Sequence, residues 1–270
     1  DPAGVVEPER FRLAGNFEPE AFSADGETLF LIRYVPPTSP EAYRVAALHL
    51  ADGSVSPVNT GQKGVVETMS GTRLEQIASA DGTMLYTLYT TRPPDRLSGH
   101  HGADQHVGFV HTLSLDEGWA HCVALPEELW GGDPADQAMA ISPDGDLLYV
   151  VDAARGVVAV MNTASLEMTR AAEVDVGLDR DGETRALIGP DGELVVAAGS
   201  GLIMLDTDTL RPTGAWTVDG PVAALGAGPR ELYVALPGAV QVVEPGSGRS
   251  ITGMWAPIVE DLAYVGMLER

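Results

Sequence analysis

Lysine is almost absent from this chain of 270 residues: Lys63 stands alone, and 16 basic residues in all face 39 aspartates and glutamates, a net charge of −23. Nucleic acid and anionic membrane surfaces are held by clustered Lys and Arg that displace counterions, and the scattered arginines here supply no such patch, so neither partner is expected. Cysteine is as scarce. Cys122 is the only one, which excludes an internal disulfide framework, and it reads as a buried, inert thiol. There is no uninterrupted apolar run of about 18 residues of the kind that spans a bilayer. The opening Asp1-Pro2-Ala3-Gly4 lacks methionine, and a leader or anchor removed upstream is one expectation. No G-x-S-x-G, H-E-x-x-H, Walker A or C-x-x-C motif occurs, and no long segment keeps a helical period. What is present is globular: 44% apolar residues are enough for a sizeable core, so the acid belongs to a surface rather than to disorder.

A tetrad recurs along the chain. Ser23-Ala24-Asp25-Gly26, Ser79-Ala80-Asp81-Gly82, Ser142-Pro143-Asp144-Gly145 and Gly189-Pro190-Asp191-Gly192 are each flanked by β-forming apolar residues, and a degraded fifth copy runs Gly226-Ala227-Gly228-Pro229. Asp folding onto its own backbone and Gly in a left-handed position describe a hairpin turn. A third apolar run follows each copy: 43–50, 108–115, 156–161, 201–205 and 239–243. Each is closed by a second turn such as Asp116-Glu117-Gly118 or Asp206-Thr207-Asp208-Thr209. With the turn aspartates 56, 63 and 47 residues apart, the pattern is all-β, a β-propeller of four-stranded antiparallel blades at 18–60, 73–126, 136–177, 183–219 and 220–255. Arg10–Ala14 reads as a strand without a blade before it, and Ile258–Val265 as one without a blade after it. A last blade shared by 258–268 and 5–15 would close one single domain and bring the count to six, with five and seven also compatible.

Leu148-Tyr149-Val150-Val151-Asp152, then Val157-Val158-Ala159-Val160-Met161-Asn162-Thr163, resembles the YVTN-type β-propeller repeat of bacteria, and Ile203-Met204-Leu205-Asp206-Thr207 repeats its third strand and turn. The resemblance implies architecture rather than activity, since the fold hosts surface-layer proteins, binding modules, lactonases and quinoprotein subunits. It also implies export, to an extracytoplasmic, secreted or periplasmic setting.

In a propeller the first strand of each blade lines a central channel. Acids recur at the approach to that strand: Glu18, Glu20, Glu75, Asp133, Asp136, Glu183, Glu260 and Asp261, with Arg73 and Arg185 in the same layer. Converging oxygens suit a hard cation such as calcium; the plainer reading is solvated turn residues paired with the arginines. Five of the six histidines fall between residues 100 and 121. His100, His101 and His106, with Asp95 and Asp104, sit on a long connection that could hold a transition metal or simply be solvated. A three-residue turn at 116–118 would set Leu115 opposite Trp119 and make His111 and His121 diagonal neighbours on one face, able to bridge a metal or to pack as half-buried side chains.

Three functions follow. The first is a non-catalytic extracytoplasmic binding propeller that receives a protein or small molecule on its loop-built face, helped by Tyr34, Tyr43 and Trp130. The second is a calcium-dependent lactonase resembling the gluconolactonase/senescence-marker family, with Phe17-Glu18-Pro19-Glu20 in the place of its first-blade glutamate. That family also uses channel asparagines, and this chain has only Asn16, Asn59 and Asn162. The third is a sensor or assembly ectodomain of a membrane-anchored protein.

Overall fold

The computed structural model describes residues 10–59, 68–90, 108–174 and 182–254, the last five by backbone alone. Five antiparallel sheets of four strands each account for them, every sheet paired in chain order. The first holds β1 (Phe17–Phe22), β2 (Thr28–Val35), β3 (Ala42–His49) and β4 (Val55–Pro57). The second holds β5 (Thr72–Ala78), β6 (Met84–Thr90), β7 (Gly108–Ser114) and β8 (Ala120–Ala124). In the third are β9 (Gln137–Ile141), β10 (Leu147–Asp152), β11 (Val157–Asn162) and β12 (Glu167–Glu173). The fourth comprises β13 (Arg185–Ile188), β14 (Leu194–Ala198), β15 (Gly201–Leu205) and β16 (Pro212–Thr217). The fifth comprises β17 (Ala224–Ala227), β18 (Leu232–Leu236), β19 (Ala239–Glu244) and β20 (Arg249–Met254). The two helical turns among the described residues, Glu127–Leu129 and Pro134–Asp136, are short 3-10 segments. No described helix is long and apolar enough to cross a membrane. Residues 10–16, where a strand was expected at Arg10–Ala14, form no described strand, though Asn16 O accepts the Tyr34 N–H of β2 at 2.9 Å; the proposed partner at 258–265 lies outside the described residues.

The chain parts into two compact units, Asp1–Ser70 with Leu113–His121, and Gly71–Thr112 with Cys122–Arg270. In the first, β2 and β3 carry the core through Phe30, Leu31, Ile32, Val45 and Leu48. The hairpin tip is tied to this sheet by Ala24 N–H to Leu115 O at 3.0 Å and Ala120 N–H to Asn59 O at 3.0 Å. In the second unit, β5 adjoins β9, β9 adjoins β13 and β13 adjoins β17, so the first strands form one consecutive row. Between the second and third sheets lie Tyr86, Leu88, Met139, Leu148 and Val150. Between the third and fourth lie Tyr149, Val151, Val196 and Ile203, and between the fourth and fifth Val195, Leu202, Val234 and Val243. The strands that fill these layers are near-continuous apolar runs because both of their faces are covered.

The serine tetrads close alike. Ser142 Oγ donates to Asp144 Oδ1 at 2.5 Å and accepts the Leu147 N–H at 2.9 Å, while Asp144 Oδ1 accepts the Asp146 N–H at 3.1 Å. Ser23 with Asp25, and Ser79 with Asp81, repeat the set. These bonds hold the carboxyls of Asp25, Asp81 and Asp144 below the usual range, the serine bond contributing most. Gly189 has no hydroxyl to offer. Its N–H donates to Glu193 O, four residues on, whereas the Ser142 N–H reaches Leu147 O, five residues on. The fourth hairpin is thus one residue tighter, and Arg185 pairs with Ala197.

Candidate functional site

The row of first strands brings two groups of the second unit into contact and a third within electrostatic reach. Glu75 lies on β5 just past a bulge that interrupts the register between Arg73 and Glu75. Its Oε2 accepts the backbone N–H of Met139, on β9, at 2.6 Å. Arg185, at the start of β13, is close enough to favour the ionised form of Glu75. Burial outweighs both influences and pushes the Glu75 carboxyl up to about 7. A carboxyl in that condition exchanges its proton near neutrality, unlike an exposed surface acid.

Arg185 is itself anchored. Its Nε donates to Ala223 O at 2.9 Å, Nη1 to Thr184 O at 3.2 Å, and Nη2 to the Glu183 carboxylate. Glu183 is 64% exposed and Arg185 35%. Arg185 thus reaches the approach to the fifth sheet, where Ala223 O receives it. Thr184 N–H also donates to Ala135 O, so the approaches to β9 and β13 are joined by backbone as well.

The other acids are engaged locally. Asp133 Oδ1 accepts the Ala135 N–H at 3.1 Å and caps the 3-10 turn that leads into β9. The Asp136 carbonyl accepts the Ala153 N–H at 2.9 Å. In the first unit, Glu18 Oε2 accepts the Tyr34 hydroxyl at 2.5 Å, Tyr34 meets Tyr43 edge to face at 6.3 Å, and Glu20 occupies the bulge of β1 between Pro19 and Ala21. Trp130 is held by its indole N–H on Leu125 O at 2.7 Å, and its carbonyl accepts Arg155 Nη1. Glu260, Asp261, Asp95, His100, His101, Asp104 and His106 lie outside the described residues.

The histidine pairing is corrected. Ser114 N–H donates to Trp119 O at 2.8 Å and Gly118 N–H to Ser114 O at 3.1 Å, so Ser114 rather than Leu115 opposes Trp119. The turn takes four residues, with Gly118 left-handed at φ 71°. A slip of one residue exchanges the faces of a strand. His111 consequently meets Cys122, with Nδ1 3.6 Å from Sγ, and His121, next to Cys122 along β8, leaves by the opposite face. Cys122 is half-buried rather than enclosed.

Among the described residues no three His, Cys, Asp or Glu side chains gather as a metal-holding group. The described acids also fit a channel calcium poorly. Glu75 is drawn toward its neutral form, Glu18 takes a phenol and Glu183 takes a guanidinium. Asn16 Nδ2 is spent on Pro37 O and Asn162 Oδ1 on the Ser165 N–H.

No known family matches the chain, and no curated protein matches it by sequence. Solved structures do match in fold. A hydrazine synthase chain of Kuenenia stuttgartiensis is 20% identical with a TM-score of 0.50, over 71% of this chain and 51% of that one. The dihydro-heme d1 dehydrogenase NirN, solved in complex with DHE, is 12% identical with a TM-score of 0.51, over 86% of this chain and 46% of that one. This chain therefore spans about half the length of either neighbour. With the five four-stranded sheets, this likeness defines the class: the protein is a β-propeller. At such identities the likeness shows the fold alone.

Proposed function

We propose that this protein is a non-catalytic, extracytoplasmic binding propeller whose ligand-receiving region is the approach to the row of first strands β5, β9 and β13. One observation carries the reading: the Glu75 carboxylate takes the Met139 N–H of the next blade, and the charge of Arg185, from the blade after, reaches it in the same unit. Convergence of a few polar groups from rigid strands is what a binding site on this architecture requires, and loops can then vary the ligand without disturbing the frame. Export is supported by the resemblance of residues 148–163 to the YVTN repeat. A sixth blade from 258–268 and 5–15, closing a single domain, belongs to the same proposal. The ligand is a small polar molecule or a polar segment of a protein.

The test pairs binding with turnover. Thermal unfolding of the full chain is followed with calcium, zinc and copper chlorides, with simple sugars and with mono- and dicarboxylates, alongside a pH-stat assay of lactone hydrolysis. Stabilisation by at least one organic probe, lost in Arg185→Gln, with no lactone turnover, is the expected result. Calcium-dependent hydrolysis abolished by Glu18→Gln or Glu20→Gln would replace the binding reading with the lactonase one.

A further inference from the structure

We propose that Glu75 occupies a seat that receives the carboxylate of a ligand, so that a small carboxylate competes with Glu75 for the Met139 N–H, favoured by the nearby charge of Arg185. The proposal rests on the binding reading above and narrows it to a chemical class. It starts from which groups are donors. β9 is the edge strand of its sheet, paired on one side with β10 alone. The outward N–H groups of such an edge need acceptors, which sheets ordinarily supply by adding a strand or exclude by covering the edge. At Met139 the acceptor is neither: it is the side-chain carboxylate of the neighbouring blade, at 2.6 Å. Arg185 lies near enough for its charge to favour the ionised form of Glu75; its guanidinium bonds two carbonyls and Glu183, and keeps further N–H donors beyond those three. A backbone N–H and a guanidinium together recognise a carboxylate, and the chain's own carboxylate shows that the place accepts one.

The seat is proton-controlled. Glu75 titrates near 7 because burial opposes its charge. The charged and titratable groups on the surrounding elements are Arg73 on β5 itself, the phenols Tyr86 and Tyr89 on β6, Asp133 and Asp136 on the turn leading into β9, Tyr149 and Asp152 on β10, and Arg185 with Glu183 at β13; the strand residues of β9 carry none. When Glu75 takes up a proton it becomes a weaker acceptor for Met139 and ceases to repel an incoming anion. The ligand carboxylate, ionised well below neutrality, then takes its place. Release follows as the pH rises and Glu75 recovers its charge.

Isothermal titration of the full chain with succinate and with acetate, and in parallel with calcium chloride, at about pH 6 and about pH 8 tests this. Binding of the carboxylates about tenfold tighter at the lower pH is expected, the ratio of protonated Glu75 between the two conditions. Glu75→Ala empties the seat and should bind as tightly at the higher pH as wild type does at the lower one. Glu75→Gln, closer in shape, should lose the pH dependence, and Arg185→Gln should weaken binding at both. Circular dichroism confirms that each variant is folded. Equal carboxylate affinity at the two pH values in wild type, or failure of Glu75→Ala to bind either carboxylate, would overturn the seat. In that event, stabilisation by another probe that is sensitive to Arg185→Gln still leaves the binding reading standing. Lactone turnover together with the expected carboxylate pattern would instead remove the non-catalytic reading and keep the seat.

Discussion

The hydroxyl of Tyr86, on the second strand of one sheet, bonds the hydroxyl of Thr163, in the turn after the third strand of the next. Tyr149 repeats the contact one sheet further on with Thr207. Both phenols are pushed above their ordinary range, first by burial. Each threonine in turn donates to the carbonyl of its own blade's tetrad glycine, Thr163 to Gly145 at 2.6 Å and Thr207 to Gly192 at 3.2 Å. Where the tyrosine is replaced, by Phe30 or Val196, the corresponding turn of the next sheet, at 114–118 or 244–248, has no threonine. The pair is therefore a staple between successive blades.

Tyr86→Phe and Tyr149→Phe should each lower stability by about 1 kcal/mol, the usual net worth of a buried hydrogen bond, since the ring stays in place. The sites are distant and share no partner, so the double variant should lose the sum within about half a kcal/mol. Urea unfolding with an unchanged m-value checks both statements.

Much of this fold is legible in the sequence because its turns are chemical. Ser142, Asp144 and Gly145 each have a fixed task in one hairpin, and the same three residue types at 23–26 and 79–82 build the same turn. Gly192, at φ 88°, takes the same left-handed place in the fourth copy. The site was less legible. Glu75 and Arg185 could be placed in one layer by counting back from the tetrads, but nothing local distinguishes Glu75 from Glu18. Its raised proton affinity comes from burial, which the N–H of Met139, 64 residues away, only partly offsets. The histidines failed for a different reason: a turn of four residues rather than three at 115–118 leaves composition unchanged and reverses a face.

Stability should depend on pH in two opposite directions. The Glu75 carboxyl is raised from 4.5 to about 7, so its contribution is full below the lower value and is lost as the pH climbs through the upper one. At about 1.4 kcal/mol for each pH unit of displacement, the loss between mildly acidic and mildly alkaline solution is a few kcal/mol. The turn acids Asp25, Asp81, Asp144 and Asp206 are lowered, and their contributions are present above the ordinary carboxylate range and vanish as the pH falls through their depressed values. Chemical unfolding across pH should show a maximum in mildly acidic solution. Glu75→Gln should flatten the alkaline limb and leave the acid limb in place; an unchanged alkaline limb would count against the buried-carboxyl account.

Two leucines sit where the other blades use glycine. Leu166 and Leu210 have φ of 54° and 57°, while Gly53, Gly118 and Gly248 occupy the matching place in the first, second and fifth sheets at 70°, 71° and 64°. A left-handed L-residue costs about 1–2 kcal/mol. Leu210 is 3% exposed and packs between the third and fourth sheets, which offsets the strain by burial. Leu210→Ala keeps the strain and loses the packing, so a cost of about 2–5 kcal/mol is expected. Leu210→Gly gives up the same packing but relaxes the backbone, and should be more stable than Leu210→Ala by about 1 kcal/mol, the reverse of the ordinary order. Denaturant midpoints of the two variants decide it.

The tetrad serine should matter only in the register it creates. Ser142→Ala removes the acceptor for the Leu147 N–H and the donor to Asp144, and a loss of about 1–2 kcal/mol should come with faster hydrogen exchange at the Leu147 amide. Installing the same hydroxyl in the fourth sheet should not help. At Gly189 the hairpin already closes on Glu193, four residues on, so no strand N–H stands where a serine would receive it. A Cβ there would lie 3.1 Å from Val195 and 3.2 Å from the Glu193 carboxyl. Gly189→Ser is therefore expected to destabilise, although it makes the fourth copy resemble the first three. Were it to stabilise, the fourth hairpin must have reverted to the longer register. Arg185 would then pair with Ala198 instead of Ala197.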